Sequence, residues 1–275
     1  MTSTDTLIQI ALEMANLESL PEDSAVYVPG NNIQRILFAL DVGAAELLMA
    51  KQLGYDCVIA HHPVGVAYQS WRVFDRHIDQ MVSHGVPHSQ AVNAVSVKRN
   101  TLKLGGMTQN YERVTSVAQH LQIPFLNIHC PLDEVGRRVM QEAVSAASTN
   151  SQKMTVNDIV NLLSALPEAK NVAAKPQQLM GEGSAAAGRV VVSHGALTNG
   201  GYDIANAYFE SGINTVAYIH IQHSELVRLR SEAKGNLVVT GHLLGDAVGI
   251  TPYITALRNS GLTVDVLGRA LEPAV

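Results

Sequence analysis

Residues 53–64 read Leu-Gly-Tyr-Asp-Cys-Val-Ile-Ala-His-His-Pro-Val, and this stretch decides the fold. Gly54 opens a short apolar run, Tyr55 to Ala60, and His61-His62-Pro63 closes it, so the run reads as a buried strand that ends in a polar turn. Just upstream, Ile36 to Asp41 reads as another buried strand and Ala44 to Leu53 as the helix between the two. The same alternation of strand and helix continues along the chain, which predicts an α/β fold with a mostly parallel sheet.

Working outward, Ser3 to Leu17 carries Leu7, Ile10, Ala11 and Met14 at helical spacing. Between Trp71 and Gln122 the composition turns polar and predicts three helices, near Arg72–Ser83, Ser89–Leu102 and Gln109–Leu121, with Gly85, Pro87 and Gly105-Gly106 as breaks. Pro124 to Ile128 predicts a strand, followed by a turn at Pro131 and a helix over about Val135 to Ala146. Ser145–Ser151 and Lys175–Gly188 read as connectors. Between and beyond them come a helix at Val156–Leu166, strands at Arg189–Ser193, Thr215–Ile219 and Asn236–Thr240, and helices at Tyr202–Ser211 and from His242 towards Asn259. A boundary near residue 150 divides the chain into an N-terminal α/β lobe, 1–150, with a helical section at 71–122, and a C-terminal α/β lobe, 151–275.

Composition narrows the function classes. Apolar residues make up 47% and charged residues 16% of the 275, which excludes disorder driven by charge and low-complexity architectures. A net charge of −5 with no long Lys/Arg cluster argues against a nucleic-acid surface. The longest apolar stretch, Ile36 to Ala50, is interrupted by Asp41 and Glu46, so no membrane span is expected, and the acidic start leads to a cytoplasmic expectation. Cys57 and Cys130 are too few for a disulfide framework. A small-molecule substrate or a protein partner fits better, and 11 histidines direct attention to metal ligands.

In α/β proteins, ligand groups gather beyond the carboxyl ends of strands. His61-His62 follow one strand, His129 and Asp133 another, and His242 with Asp246 a third. Adjacent histidines on an extended segment point to opposite sides, so His61 and His62 suit two neighbouring ions rather than one. His242 and Asp246, at i and i+4 on a helix, lie on one face. Singly, each has a plainer reading: Asp133 as a helix N-cap, Asp246 as an acid favoured near a helix start, and His194, His77, His84, His88 and His120 as surface or satisfied core residues. The loop from His194 to Gly201 lacks the Lys-Ser/Thr of a phosphate loop and reads as a turn. Asp75-Arg-His77 has a metallophosphoesterase spacing without its companion motif and reads as a solvated helix face.

Together these motifs resemble a known family. Ile36-Leu-Phe-Ala-Leu-Asp-Val42, the 53–64 stretch, His129-Cys-Pro-Leu-Asp133 and Gly241-His-x-x-x-Asp246 are similar to the signatures of the Nif-three-like metal-binding proteins, the GTP cyclohydrolase I type 2 homologues. The resemblance implies two α/β lobes with a site in the cleft between them. It implies two divalent ions (Zn, Mn, Fe or Ni) held by His61, His62, Asp133, His242 and Asp246, with His129 as a further ligand or supporting group. It also implies assembly as a toroidal homohexamer. Asp246 stands where the family has Glu, about 1.5 Å shorter in reach, and His220 or His223 stands in place of a Thr-Gly-Glu and following His. The expected activity is metal-dependent hydrolysis of a small, nucleotide-like substrate; the alternative is a metal-binding scaffold or metal-delivery protein.

Overall fold

The computed structural model describes residues 1–69, 71–150, 154–196 and 198–273, with the backbone alone for 149 and 150. Strands and helices are numbered here in chain order. The first sheet contains β1 (Ala25–Val28), β2 (Arg35–Ala39), β3 (Cys57–Ala60), β4 (Phe125–Asn127) and β9 (Thr263–Leu267), in the order β1-β4-β3-β2-β9. The second contains β5 (Gln177–Met180), β6 (Val190–Val192), β7 (Thr215–Tyr218) and β8 (Asn236–Val239), in the order β5-β8-β7-β6. Both are parallel except for one antiparallel edge strand, β1 and β5. The fold is α/β, with one lobe on each sheet. The inner strands β3 and β8 are buried at every position, as expected of parallel strands covered on both faces.

The helices are α1 (Thr4–Ala15), α2 (Ala44–Gln52), α3 (Arg76–Ser83), α4 (His88–Gly106), α5 (Glu112–Leu121), α6 (Cys130–Asn150), α7 (Val156–Ser164), α8 (Gly201–Glu210), α9 (His223–Glu232) and α10 (His242–Asn259). No helix among the described residues is long and apolar enough to cross a membrane. The two lobes exchange elements. Residues 151–275, expected as one lobe, send β9 back to pair with β2, and α10 buries Ile250, Tyr253 and Leu257 in the first core beside Leu7 and Ile36. In return the 71–122 section places Phe74, Met81 and Val95 in the second core against Tyr208 and Val216.

Several local expectations are corrected. Helix α6 begins at Cys130 rather than after Pro131, because a proline in the first helical turn gives up an N–H that has no intrahelical partner anyway. The proposed connector at 145–151 is the last part of α6 up to Asn150, and Ser151 lies outside the described residues. The connector at 175–188 contains β5. Gly105-Gly106, expected as a break, forms the end of α4.

The contact between α6 and α10 sets the distance between two halves of the site. Where α6 crosses α10, glycines face each other: a Cβ on Gly249 would sit 1.9 Å from the Leu132 carbonyl oxygen, and one on Gly136 would sit 3.1 Å from the Gly245 carbonyl oxygen. The backbones touch there. Asp133, in the first turn of α6, and Asp246, one turn into α10, are thereby brought to the same cleft.

Candidate metal centre

Each cluster residue sits where a strand hands over to a helix or loop. Leaving β3, His61 is fully buried and His62 half-buried. After β4 come His129 and, one helical turn on, Asp133. After β6 comes His194. After β8, Gly241 adopts a positive φ of 93° that turns the chain into α10, presenting His242 and, a turn later, Asp246.

These side chains converge. His61 Nε2 lies 3.2 Å from Asp133 Oδ1 and 3.8 Å from Asp246 Oδ2. His62 Nε2 lies 3.3 Å from Asp246 Oδ2 and 3.2 Å from His242 Nε2, and His242 Nε2 is 3.0 Å from the same carboxylate oxygen. His129 Nε2 and His194 Nε2 approach Asp133 at 3.6 and 3.4 Å. Three groups can each hold a metal ion: His61–His62–His129, His62–His242–Asp246, and His61–Asp133–Asp246. Asp246 belongs to two of them, so despite its short side chain it reaches both histidines of the pair.

The imidazoles are aimed from behind. His61 donates its Nδ1–H to the Ile128 carbonyl at 3.0 Å. His62 and His129 donate theirs to Asp41 at 2.8 Å and to Asp23 at 2.7 Å. A histidine held in this way turns its Nε2 inward, which is the arrangement that orients metal-ligating histidines. Asn127 braces the floor: its amide donates to the Asp23 carbonyl at 2.7 Å, and its oxygen accepts from Ala25 N at 3.1 Å.

Electrostatics point the same way. Burial pushes the His61 imidazole below its ordinary value, so it is neutral and its Nε2 presents a lone pair to two carboxylates. Burial works against ionisation of Asp133, but the His129 and His194 rings hold its carboxyl well below the usual range. Burial likewise opposes ionisation of Asp246, and hydrogen bonds from His242 and His62 outweigh it. Burial also opposes the charged form of His129, yet Asp133 and Asp23 raise its imidazole to about 9. Three buried atoms that face one another, His61 Nε2, Asp133 Oδ1 and His194 Nε2, have no hydrogen-bond partner among the described residues. A cation among them would satisfy all three, so the donor set fits a divalent metal of the imidazole-and-carboxylate class.

Of the residues singled out in the sequence, His61, His62, His129, Asp133, His242 and Asp246 meet in this cluster, while His223 does not. It opens α9 on the surface. His220 lies beside the cluster, its ring 5.1 Å from that of His242. Burial and the neighbouring His242 lower its imidazole to about 4. His194, read from sequence as a surface or core residue, belongs to the cluster, and the strand-end rule that selected the others applies to it equally.

A buried histidine outside the cluster ties the 71–122 section to the loop that carries His194. His77 donates from Nε2 to the Thr198 carbonyl at 2.8 Å and packs edge-on against Phe74, while Leu197 of the same loop lies outside the described residues. Burial lowers the His77 imidazole to about 4, against an unfolded value near 6.5. The unfolded chain binds the extra proton first as pH falls. Stability is therefore unaffected above pH 6.5 and declines from there towards pH 4, by about 3 kcal/mol in total. Urea titrations across that range should show this slope for the parent protein and a shallower one for His77→Leu; identical slopes would refute the assignment.

The profile of Duf34/NIF3 (NGG1p interacting factor 3) matches residues 24–244. Among solved structures, the chain is similar to a NIF3 superfamily protein from Sphaerobacter thermophilus, with 45% identity over 96% of this chain and 98% of that one and a TM-score of 0.90. It shares its fold with reduced HcgD from Methanocaldococcus jannaschii, at 13% identity over 97% and 98% of the two chains and a TM-score of 0.57. A Bacillus cereus protein related to NIF3 has the same fold, at 11% identity over 97% and 96% and a TM-score of 0.54. No curated protein matches the chain.

Proposed function

The chain belongs to the Duf34/NIF3 family, and from that premise we propose that its His/Asp cluster is a dinuclear divalent-metal centre (Zn, Mn, Fe or Ni) that serves hydrolysis of a small substrate. One observation carries the reading. Three histidines, His61, His62 and His129, are each fixed through Nδ1 by a carbonyl or carboxylate and turn Nε2 towards shared carboxylates. In this reading His61, Asp133 and Asp246 hold one ion, and His62, His242 and the shared Asp246 hold the other. His129 and His194 complete the set around Asp133.

When bound, such ions supply Lewis acidity towards water and towards a substrate oxygen. The chain's own residues do the rest. Asp41, Asp23 and the Ile128 carbonyl fix the imidazole tautomers, burial of Asp133 and Asp246 keeps bulk water from their carboxylates, and the cleft between the lobes admits the substrate. The family resemblance extends the reading to a cytoplasmic ring of six copies related to the GTP cyclohydrolase I type 2 homologues.

The test is chelator-sensitive turnover across esters, amides, phosphodiesters and heterocyclic nucleotides. Asp133→Ala is expected to lower any such turnover at least about a hundredfold while leaving the circular dichroism spectrum native. Turnover that survives chelation and the substitution would contradict the reading. A second reading, metal delivery, is favoured by one feature: the His242 side chain is 50% exposed, which opens the outer group to exchange. Transfer of metal to an acceptor without turnover would select it.

A further inference from the structure

The cleft above the cluster has a volume of about 540 Å³, enough for a small molecule. Its two sides differ. One is the His/Asp cluster; the other is Tyr68, Trp71, Leu102 and Ile219, three of them delivered by the 65–106 region that packs on the second lobe. Among the described residues that line it, none is Lys or Arg, and Asp41 at the rim adds negative charge. Of the nearby cations, Lys98 pairs with Glu225 at 3.1 Å, and Arg72 and Lys103 both lie 5.1 Å from the ring of Trp71, itself a wall residue, without lining the space themselves. A chain of phosphates would find no guanidinium or ammonium lining this space to receive it.

The polar contribution of the second lobe is a neutral donor. Asn199 accepts from the Ile219 backbone N–H with its side-chain oxygen at 3.1 Å, so its amide nitrogen must be the atom that donates to His220 Nδ1 at 2.7 Å. His220 therefore carries its hydrogen on Nε2, which is on the cleft wall and has no hydrogen-bond partner among the described residues. Gly105 leaves the wall flat, with no atom within 4 Å of where its Cβ would stand.

We propose that the cleft takes an uncharged substrate with a planar apolar flank and an oxygen-bearing head, the flank seated on Tyr68, Trp71, Leu102 and Ile219 and the head between His220 and the cluster. This rests on the metal-centre reading and narrows it to substrates without phosphate chains.

Calorimetry on the full chain loaded with Mn²⁺ tests it with three probes: acetohydroxamate, 2-naphthohydroxamate and guanosine triphosphate. The naphthyl probe should bind at least about tenfold tighter than the acetyl probe, from burial of its ring system, and tighter than the triphosphate. Trp71→Ala should shrink the naphthyl-to-acetyl ratio to about threefold or less. Gly105→Leu, whose Cβ would have no other atom within 4 Å and which replaces a helical glycine with a good helix former, should shrink it likewise and guards against a misfolded Trp71 variant. Equal binding of the two hydroxamates with metal in place, a ratio unchanged in Gly105→Leu, or tightest binding of the triphosphate would overturn the substrate class alone. Failure to take up any Mn²⁺, Zn²⁺, Fe²⁺ or Ni²⁺ would overturn it together with the metal-centre reading.

Discussion

Asp246→Asn is expected to lose at least about a hundredfold in affinity for divalent metal, the largest effect of any single polar substitution in the chain. The carboxylate is 2% exposed, and one of its oxygens lies within 3.8 Å of His61, His62 and His242 together. Asparagine keeps the shape but gives up the charge that balances two cations. The reading is the metal-to-protein ratio after dialysis, beside a circular dichroism spectrum that confirms the fold. Asp133→Asn should be milder at the His62–His242 group and severe at the His61–His194 group, since Asp133 touches only the latter. Full metal uptake by Asp246→Asn would remove Asp246 from the centre.

Gly249→Val should cost about 3–5 kcal/mol and lower the melting temperature by roughly 10 °C or more. Its first side-chain carbon would stand 1.9 Å from the Leu132 carbonyl oxygen and close to the Gly136 backbone, and neither backbone can rotate aside as a side chain would. The strain can be relieved only by parting α6 from α10, which also separates Asp133 from Asp246. A surviving Gly249→Val fraction should therefore bind metal poorly even below its melting temperature. A variant that melts with the parent and binds metal normally would show that the crossing does not position the site.

Much of the site was legible because its residues obey one rule, that polar side chains with a task collect beyond the carboxyl ends of strands. His61, His62, His129 and His242 each follow a strand that the apolar pattern announces. His194 follows β6 in the same way, but its flanking glycines suggested a turn with no task. The supporting carboxylates were harder to see. Asp41 lies two residues past β2, a strand the apolar pattern announces, whereas Asp23 precedes β1, an antiparallel edge strand of four half-buried residues with no clear alternation.

The interchange of elements between lobes was not legible for a physical reason. β9, Thr-Val-Asp-Val-Leu at 263–267, is short, and Asp265 interrupts its apolar run. Its place is fixed by parallel pairing with β2, more than two hundred residues away, and by an Arg35–Asp265 ion pair at 2.9 Å. Local pattern carries no information about such a partner. Gly105-Gly106 misled in the opposite direction. Glycine disfavours a helix by only about 1 kcal/mol, and the packing of α4 against the second lobe outweighs that.

The most direct measurement is elemental analysis of protein purified without added metal, combined with anomalous scattering from its crystals. About two ions per chain are expected, one bounded by His61, Asp133 and Asp246 and the other by His62, His242 and Asp246. Metal-free crystals after incubation with each of the four candidate ions, or anomalous peaks remote from these residues, would contradict it.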